Sequence, residues 1–240
     1  MTSGRREAPV RVRRRRGGLA LEVDGTFASF YRPGETSTGS VWDALVAPLA
    51  WLPPARRGSV LILGLGAGSA ARLVRAIAPR ARIVGVEASA EVIRAARRHF
   101  ELDALGVDVV HDDARRFLGR TRRHFDLVIE DVFIGTEETL RKPSWLPLPG
   151  LARAARLLRR GGLLVSNTID ETPEVARALS GLLPRVLAID VHDYDNRILV
   201  AGPRVLEARA LRSAVARTPV LAPSLPVFRV RKWPLPSPSG

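Results

Sequence analysis

The sequence predicts an α/β fold, a parallel sheet with helices on both faces preceded by a short N-terminal β-hairpin. Three observations carry that reading. Residues 60–63 are apolar without interruption and run straight into Gly64, Gly66 and Gly68. A strand covered on both faces has that continuous apolar pattern, and the glycines let the backbone turn tightly and lie against a ligand. Further short apolar runs at 81–86, 107–110 and 125–129 continue the series, and a chain of 240 residues that is 46% hydrophobic can bury one sizeable core.

Taken in order, residues 1–18 hold Arg5, Arg6, Arg11, Arg13, Arg14, Arg15 and Arg16 and read as a basic disordered tail. Residues 19–36 form the hairpin unit, in which two runs with alternating apolar positions flank Asp24-Gly25, a pair that tolerates the positive φ of a tight turn. Tyr31 at its end is a candidate substrate-pocket residue, with core packing as the alternative. Residues 37–204 form the nucleotide-binding domain. It opens with Ser40 and Asp43 spaced as a capping box before a helix toward Trp51.

The strand at 59–63, the glycine turn and a helix at 69–77 then make a phosphate- or nucleoside-binding unit. Glu87 closes the next strand, at the distance from the glycines where a carboxylate accepts both hydroxyls of a ribose. Position 69 is Ser where a dinucleotide site has its third glycine, which favours a nucleoside without a pyrophosphate over NAD. After the strand at 107–110, Asp113 and the Ala114 amide are placed to read an adenine edge, with a helix N-cap as the alternative role for Asp113.

The strand at 125–131 ends in Glu130 and Asp131, and residues 132–149 form a long loop containing Glu137 and Glu138. Loops of that length at the carboxyl end of a parallel strand are usually functional. A helix at 151–160 stopped by Gly161-Gly162, a strand at 163–167, a helix at 173–183 and strands at 186–189 and 197–201 complete the domain. Between the last two strands, Asp193 and Tyr194 lie in a polar cluster that reads as a turn or part of a substrate pocket. Residues 205–240 read as a helix and a Pro-rich tail.

This run of motifs, roughly from residue 19 to 203, resembles the class I S-adenosylmethionine-dependent methyltransferases, and within them the spermidine-synthase-like branch. The resemblance implies a Rossmann-like seven-stranded sheet finishing in an antiparallel pair. It also implies S-adenosylmethionine, or its decarboxylated form, held by Gly64, Gly66, Gly68, Glu87, Asp113 and Ala114. Asp131 matches the aspartate that deprotonates the attacking amine in aminopropyltransferases, and Glu130 is the second candidate. Two departures favour methyl over aminopropyl transfer. Ala67 stands where polyamine synthases carry an aspartate in the glycine turn, and Val132-Phe133-Ile134-Gly135 lacks their second aspartate. A dicationic amine needs several carboxylates around it, because unpaired buried charge is costly. The hairpin and the place of Asp131 keep the polyamine aminopropyltransferase as the alternative. A third reading is a catalytically idle nucleoside-binding protein with an Arg-rich recruiting tail.

There is no cysteine, and His99, His111, His124 and His192 lack ligand spacing, so no metal is expected. No apolar stretch is long enough to span a bilayer, and no apolar segment follows the arginines as an export signal would require, so a cytoplasmic location is expected. The formal net charge is +14, carried by arginine with lysine only at Lys142 and Lys232. Expected partners are a small-molecule acceptor and an anionic partner held weakly by the N-terminal arginines, with a homodimer left open.

Overall fold

The computed structural model describes residues 9–15 and 17–234. Strands β1 (Val10–Arg15), β2 (Gly18–Val23) and β3 (Thr26–Tyr31) form an antiparallel three-stranded sheet. Asp24 and Gly25 both adopt positive φ in the turn between β2 and β3, as the Asp-Gly pair requires. The main sheet contains β4 (Ser59–Leu63), β5 (Arg82–Glu87), β6 (Val107–His111), β7 (Phe125–Glu130), β8 (Leu158–Thr168), β9 (Arg185–Val191), β10 (Arg197–Gly202) and β11 (Phe228–Lys232). Its order is β11-β9-β10-β8-β7-β4-β5-β6, with β4 to β8 parallel and β10 running antiparallel between β8 and β9.

The strands sort their side chains by parity into two cores. In β4, Val60 and Ile62 join one buried cluster and Leu61 and Leu63 the other; Leu127 and Ile129 of β7 face the first, Val128 the second. Successive strand residues point to opposite faces, so a strand apolar at every position serves two helical layers at once. The first layer comprises α1 (Val41–Trp51), α2 (Ser69–Ile77), α3 (Ala90–His99) and α7 (Ala208–Ala216). The second comprises α4 (Ala114–Arg120), α5 (Gly150–Arg156) and α6 (Thr172–Leu182). Strand order reverses between β4 and β7, which places a crevice at their carboxyl ends.

Four expectations are corrected. Part of the expected basic tail is strand β1, because Val10 and Val12 pack against the core while all six residues pair with β2; Arg5, Arg6 and Arg16 lie outside the described residues. The N-terminal unit therefore has three strands. The Pro-rich C-terminal segment supplies β11, an eighth strand on the free edge of β9, secured by Phe228 in the core. The expected helix at 151–160 stops at Arg156 and β8 begins at Leu158, with Gly161 in the left-handed region where the pairing with β7 shifts register.

The expected capping box is replaced by a different device. Ser40 makes no side-chain cap bond. Instead Asp43, fully buried, accepts from the Thr38 and Gly39 amides and from the Ser37, Thr38 and Ser224 hydroxyls. One carboxylate thus fixes the entry to α1 and anchors the C-terminal segment that leads into β11. Removing it strands several buried donors, so Asp43→Ala is expected to cost about 3 kcal/mol. Urea denaturation measures the loss, and an unchanged midpoint would remove Asp43 from this role.

Candidate functional site

The crevice at the β4/β7 boundary is built on the backbone of the glycine turn. Gly64 and Gly66 have φ of +81° and +55°, and a Cβ on Gly64 would lie 2.3 Å from the Asp131 carbonyl oxygen. Only a glycine admits that contact, which brings the turn after β4 directly against the residue that follows β7. The Gly64 and Leu65 amides both donate to the Val86 carbonyl at 3.0 Å. The Gly66 amide donates to Glu87 Oε2 at 3.0 Å, and the Ser89 amide to Oε1 at 3.0 Å. Burial pushes the Glu87 carboxyl up and these backbone bonds pull it down, with burial dominant. Glu87 therefore sits rigidly at the end of β5, beside the turn.

β3 closes the turn from the other side. The Ala67 amide donates to Ser29 Oγ at 2.8 Å, while Ser69 Oγ both accepts from the Phe30 amide and donates to the Phe30 carbonyl at 2.9 Å. Tyr31, two residues beyond Ser29 on the same face, runs past the turn into the core. The Arg72 guanidinium covers its ring at 4.2 Å, and its hydroxyl meets Glu101. The expected pocket role of Tyr31 thus gives way to packing.

Asp113 caps α4, its Oδ1 accepting from the Arg116 amide at 3.1 Å. That leaves Oδ2 outside the cap. Ala114 opens the helix, so its amide is among the first-turn N–H groups that lack an intrahelical acceptor.

The two acids after β7 have separate environments. Glu130 is buried and accepts from the Lys142 ammonium at 2.8 Å, the Val132 amide at 2.8 Å and the Ser166 hydroxyl. Lys142 is itself buried, donates to the Val132 carbonyl and lies 3.8 Å from the centre of the Phe133 ring. With its lone pairs so occupied, Glu130 serves as the tether of the loop at 132–149, which corrects its place as second candidate base. Asp131 remains. Burial pushes its carboxyl up to about 6, against the hydrogen bond from Asn167 and the charge of Lys142 and with the added push of Glu130.

Asn167 Nδ2 donates to Asp131 Oδ1 at 2.8 Å, and Asn196 Nδ2 donates to Asn167 Oδ1 at 2.9 Å. This relay brings the turn between β9 and β10 into the site through Asn196. Asp193 and Tyr194 of the same turn do not share in it. Asp193 takes φ of +65° and pairs with His192 in solvent, while Tyr194 packs on the core. Asn196 belongs to the polar cluster at 192–196 that the sequence offers as a turn or part of a pocket, whereas Lys142, Asn167 and Ser29 are not marked as site residues by the sequence; the polar Asn167 at the end of an apolar strand is the signal that could have found one of them. Among the described residues no group of three or more His, Asp or Glu is placed to hold a metal, and no helix is long and apolar enough to cross a membrane.

Residues 60–162 match the family model for a methyltransferase domain. No curated protein matches the chain in sequence. Among solved structures, a probable spermidine synthase from Corynebacterium glutamicum is similar over 93% of this chain and 87% of its own, at 20% identity and a TM-score of 0.74. The spermidine synthase from Thermotoga maritima is similar over 88% and 75%, at 15% identity and 0.66. Human methyltransferase-like protein 13, solved with S-adenosylhomocysteine, is similar over 81% and 95%, at 21% identity and 0.64. The fold is that of the class I S-adenosylmethionine-dependent methyltransferases, shared with spermidine synthases.

Two substitutions test the division of labour between the acids. Lys142→Met leaves the Glu130 charge buried alone and is expected to cost about 3–5 kcal/mol, most of it restored by adding Glu130→Gln, as read by chemical denaturation. Asn167→Leu removes a bond that favours the ionised carboxyl, so a carbon-13 titration of Asp131 is expected to shift above about 6. A titration at the ordinary aspartate value would refute the relay.

Proposed function

We propose that the chain is an S-adenosylmethionine-dependent methyltransferase acting on a small acceptor whose nucleophile loses its proton to Asp131. The observation that carries the reading is the direct contact between the glycine turn, clasped to Glu87, and the backbone of Asp131, which sets beside the turn a carboxylate whose one hydrogen-bond partner in the site is Asn167. The residues present fit the cofactor. The left-handed turn allows close backbone approach, Glu87 would accept from the hydroxyls of a ribose, and Asp113 Oδ2 with the Ala114 amide would suit an adenine edge. When bound, S-adenosylmethionine supplies a carbon already activated by its sulfonium.

The protein's own contribution is then placement and proton transfer. Asp131, ionised above about 6, accepts the proton of the acceptor's nucleophile at Oδ2, while Oδ1 stays held by Asn167. Closing the crevice with the Lys142-tethered loop excludes water and fixes the line of attack. The charge balance favours a methyl acceptor over a polyamine. Lys142 neutralises Glu130, so Asp131 is the one net negative charge of the pair, where a dication would need more.

The alternative, aminopropyl transfer from decarboxylated S-adenosylmethionine, is favoured by the three-stranded N-terminal sheet over the turn and by the likeness to spermidine synthases. Calorimetric titration separates the two. Tighter binding of S-adenosylmethionine is expected, and tighter binding of the decarboxylated form would replace methyl with aminopropyl transfer. Glu87→Ala is expected to weaken cofactor binding at least about tenfold. In radiolabelled methyl transfer to a panel of small amines and phenols, the rate is expected to rise with pH through about 6 and then level, because the base must be ionised. Asp131→Asn is expected to lower that rate by about 100-fold or more with cofactor affinity unchanged.

A further inference from the structure

The outer face of the N-terminal sheet carries a pattern that the proposed transfer does not use. Along β1, Arg11, Arg13 and Arg15 occupy alternate, exposed positions, while Val10 and Val12 on the other face pack against the core. Alternate strand residues stand about 6.8 Å apart, so the three arginines are anchored as a ladder along the strand, while the Arg13 head reaches Glu22 and the Arg15 head reaches Phe27. With Glu22, Phe27 and Glu137 they line a groove of about 460 Å³. Phe27 comes from β3, and the Arg15 guanidinium lies 5.3 Å from its ring centre. Its ring is fixed edge-on at 5.1 Å from the buried Trp42.

We propose that this groove binds a single-stranded nucleic acid, with phosphates along the β1 ladder and a base against Phe27. Three exposed arginines anchored in a row can each take one phosphate of an anion that repeats, once the Arg13 and Arg15 heads leave Glu22 and Phe27. A fixed aromatic ring beside such a ladder is the combination that single strands use, and a duplex keeps its base faces stacked out of reach. The Arg13–Glu22 ion pair, at 2.8 Å with the arginine mostly in solvent, is weak enough for a phosphate to displace. The +14 net charge adds a long-range attraction for the same ligand. The groove lies at the rim of the crevice, because Glu137 belongs to the loop that follows Asp131 and its carboxylate lies beside the Gly25 turn. Its occupancy does not depend on which group is transferred.

The test is fluorescence anisotropy of the full chain with a labelled oligouridine of about twelve nucleotides, between about 50 and 200 mM salt. The triple variant Arg11→Gln, Arg13→Gln, Arg15→Gln is expected to bind at least about tenfold more weakly at 100 mM salt. Its salt slope is expected to be shallower by about 2, from three lost phosphate contacts. A control triple with the same charge change on exposed arginines near α7, Arg204→Gln, Arg209→Gln, Arg217→Gln, is expected to change binding less than about twofold. Phe27→Leu, which keeps an apolar side chain against Trp42, is expected to weaken binding at least about fivefold. Circular dichroism checks folding, and Arg11→Gln alone, expected to weaken binding, stands in if the triple variant unfolds. Equal losses in both triples would assign the binding to bulk charge and overturn the groove. So would a duplex that binds as tightly as the single strand, displacement by an equal concentration of uridine monophosphate, or no binding at about 50 mM salt.

Discussion

The site depends on a backbone that only glycine can adopt. Gly64 turns in the left-handed region with no room for a Cβ before the Asp131 carbonyl, and Gly66 does the same beside Ser29. Those two close approaches draw together three segments that are far apart in sequence: the hairpin strand β3, the acid at the end of β5 and the acid after β7. A side chain at either glycine would separate them, and the carboxylates of Glu87 and Asp131 would no longer belong to one crevice. The parallel order of the sheet supplies the crevice, and the turn decides what reaches into it.

Charge is distributed around that turn with few groups to spare. Three acids stand at the carboxyl ends of β5 and β7, the strands on either side of β4, and each is handled differently. Glu87 is held by backbone amides, Glu130 by a buried ammonium, and Asp131 by a single amide hydrogen bond. A carboxylate whose lone pairs are filled is a strut, while one that is partly desolvated with a single partner is raised toward neutrality and can exchange a proton near neutral pH. The Lys142 ammonium also holds the start of the long loop, because it donates to the Val132 carbonyl as well as to Glu130.

The chain ends serve the same centre. β1 completes the small sheet that presses β3 on the turn, and β11 closes the far edge of the large sheet. Asp43 ties the segment before β11 to the start of α1 through Ser224. In sequence the N-terminal arginines and the Pro-rich C-terminal stretch read as tails because neither shows strong periodicity. Val10 and Val12 are two residues among many arginines, and the alternating pair Phe228 and Val230 is a short pattern between prolines and charges. Their strand identity comes from edges already present on β2 and β9.

The sequence by itself determined the α/β class, the glycine turn, the places of Glu87 and Asp131 at strand ends, and the antiparallel finish. Each of these is written in contiguous residues, as an apolar period, a turn pair or an acid at a strand end. Tertiary structure alone decided that Lys142 neutralises Glu130, that Asn196 and not Asp193 or Tyr194 enters the crevice, and that Tyr31 packs while Ser29 binds the turn. It also decided that Phe27 joins the β1 arginines. These outcomes rest on which distant segments meet and on which face each strand presents there, and a local pattern leaves both of those open.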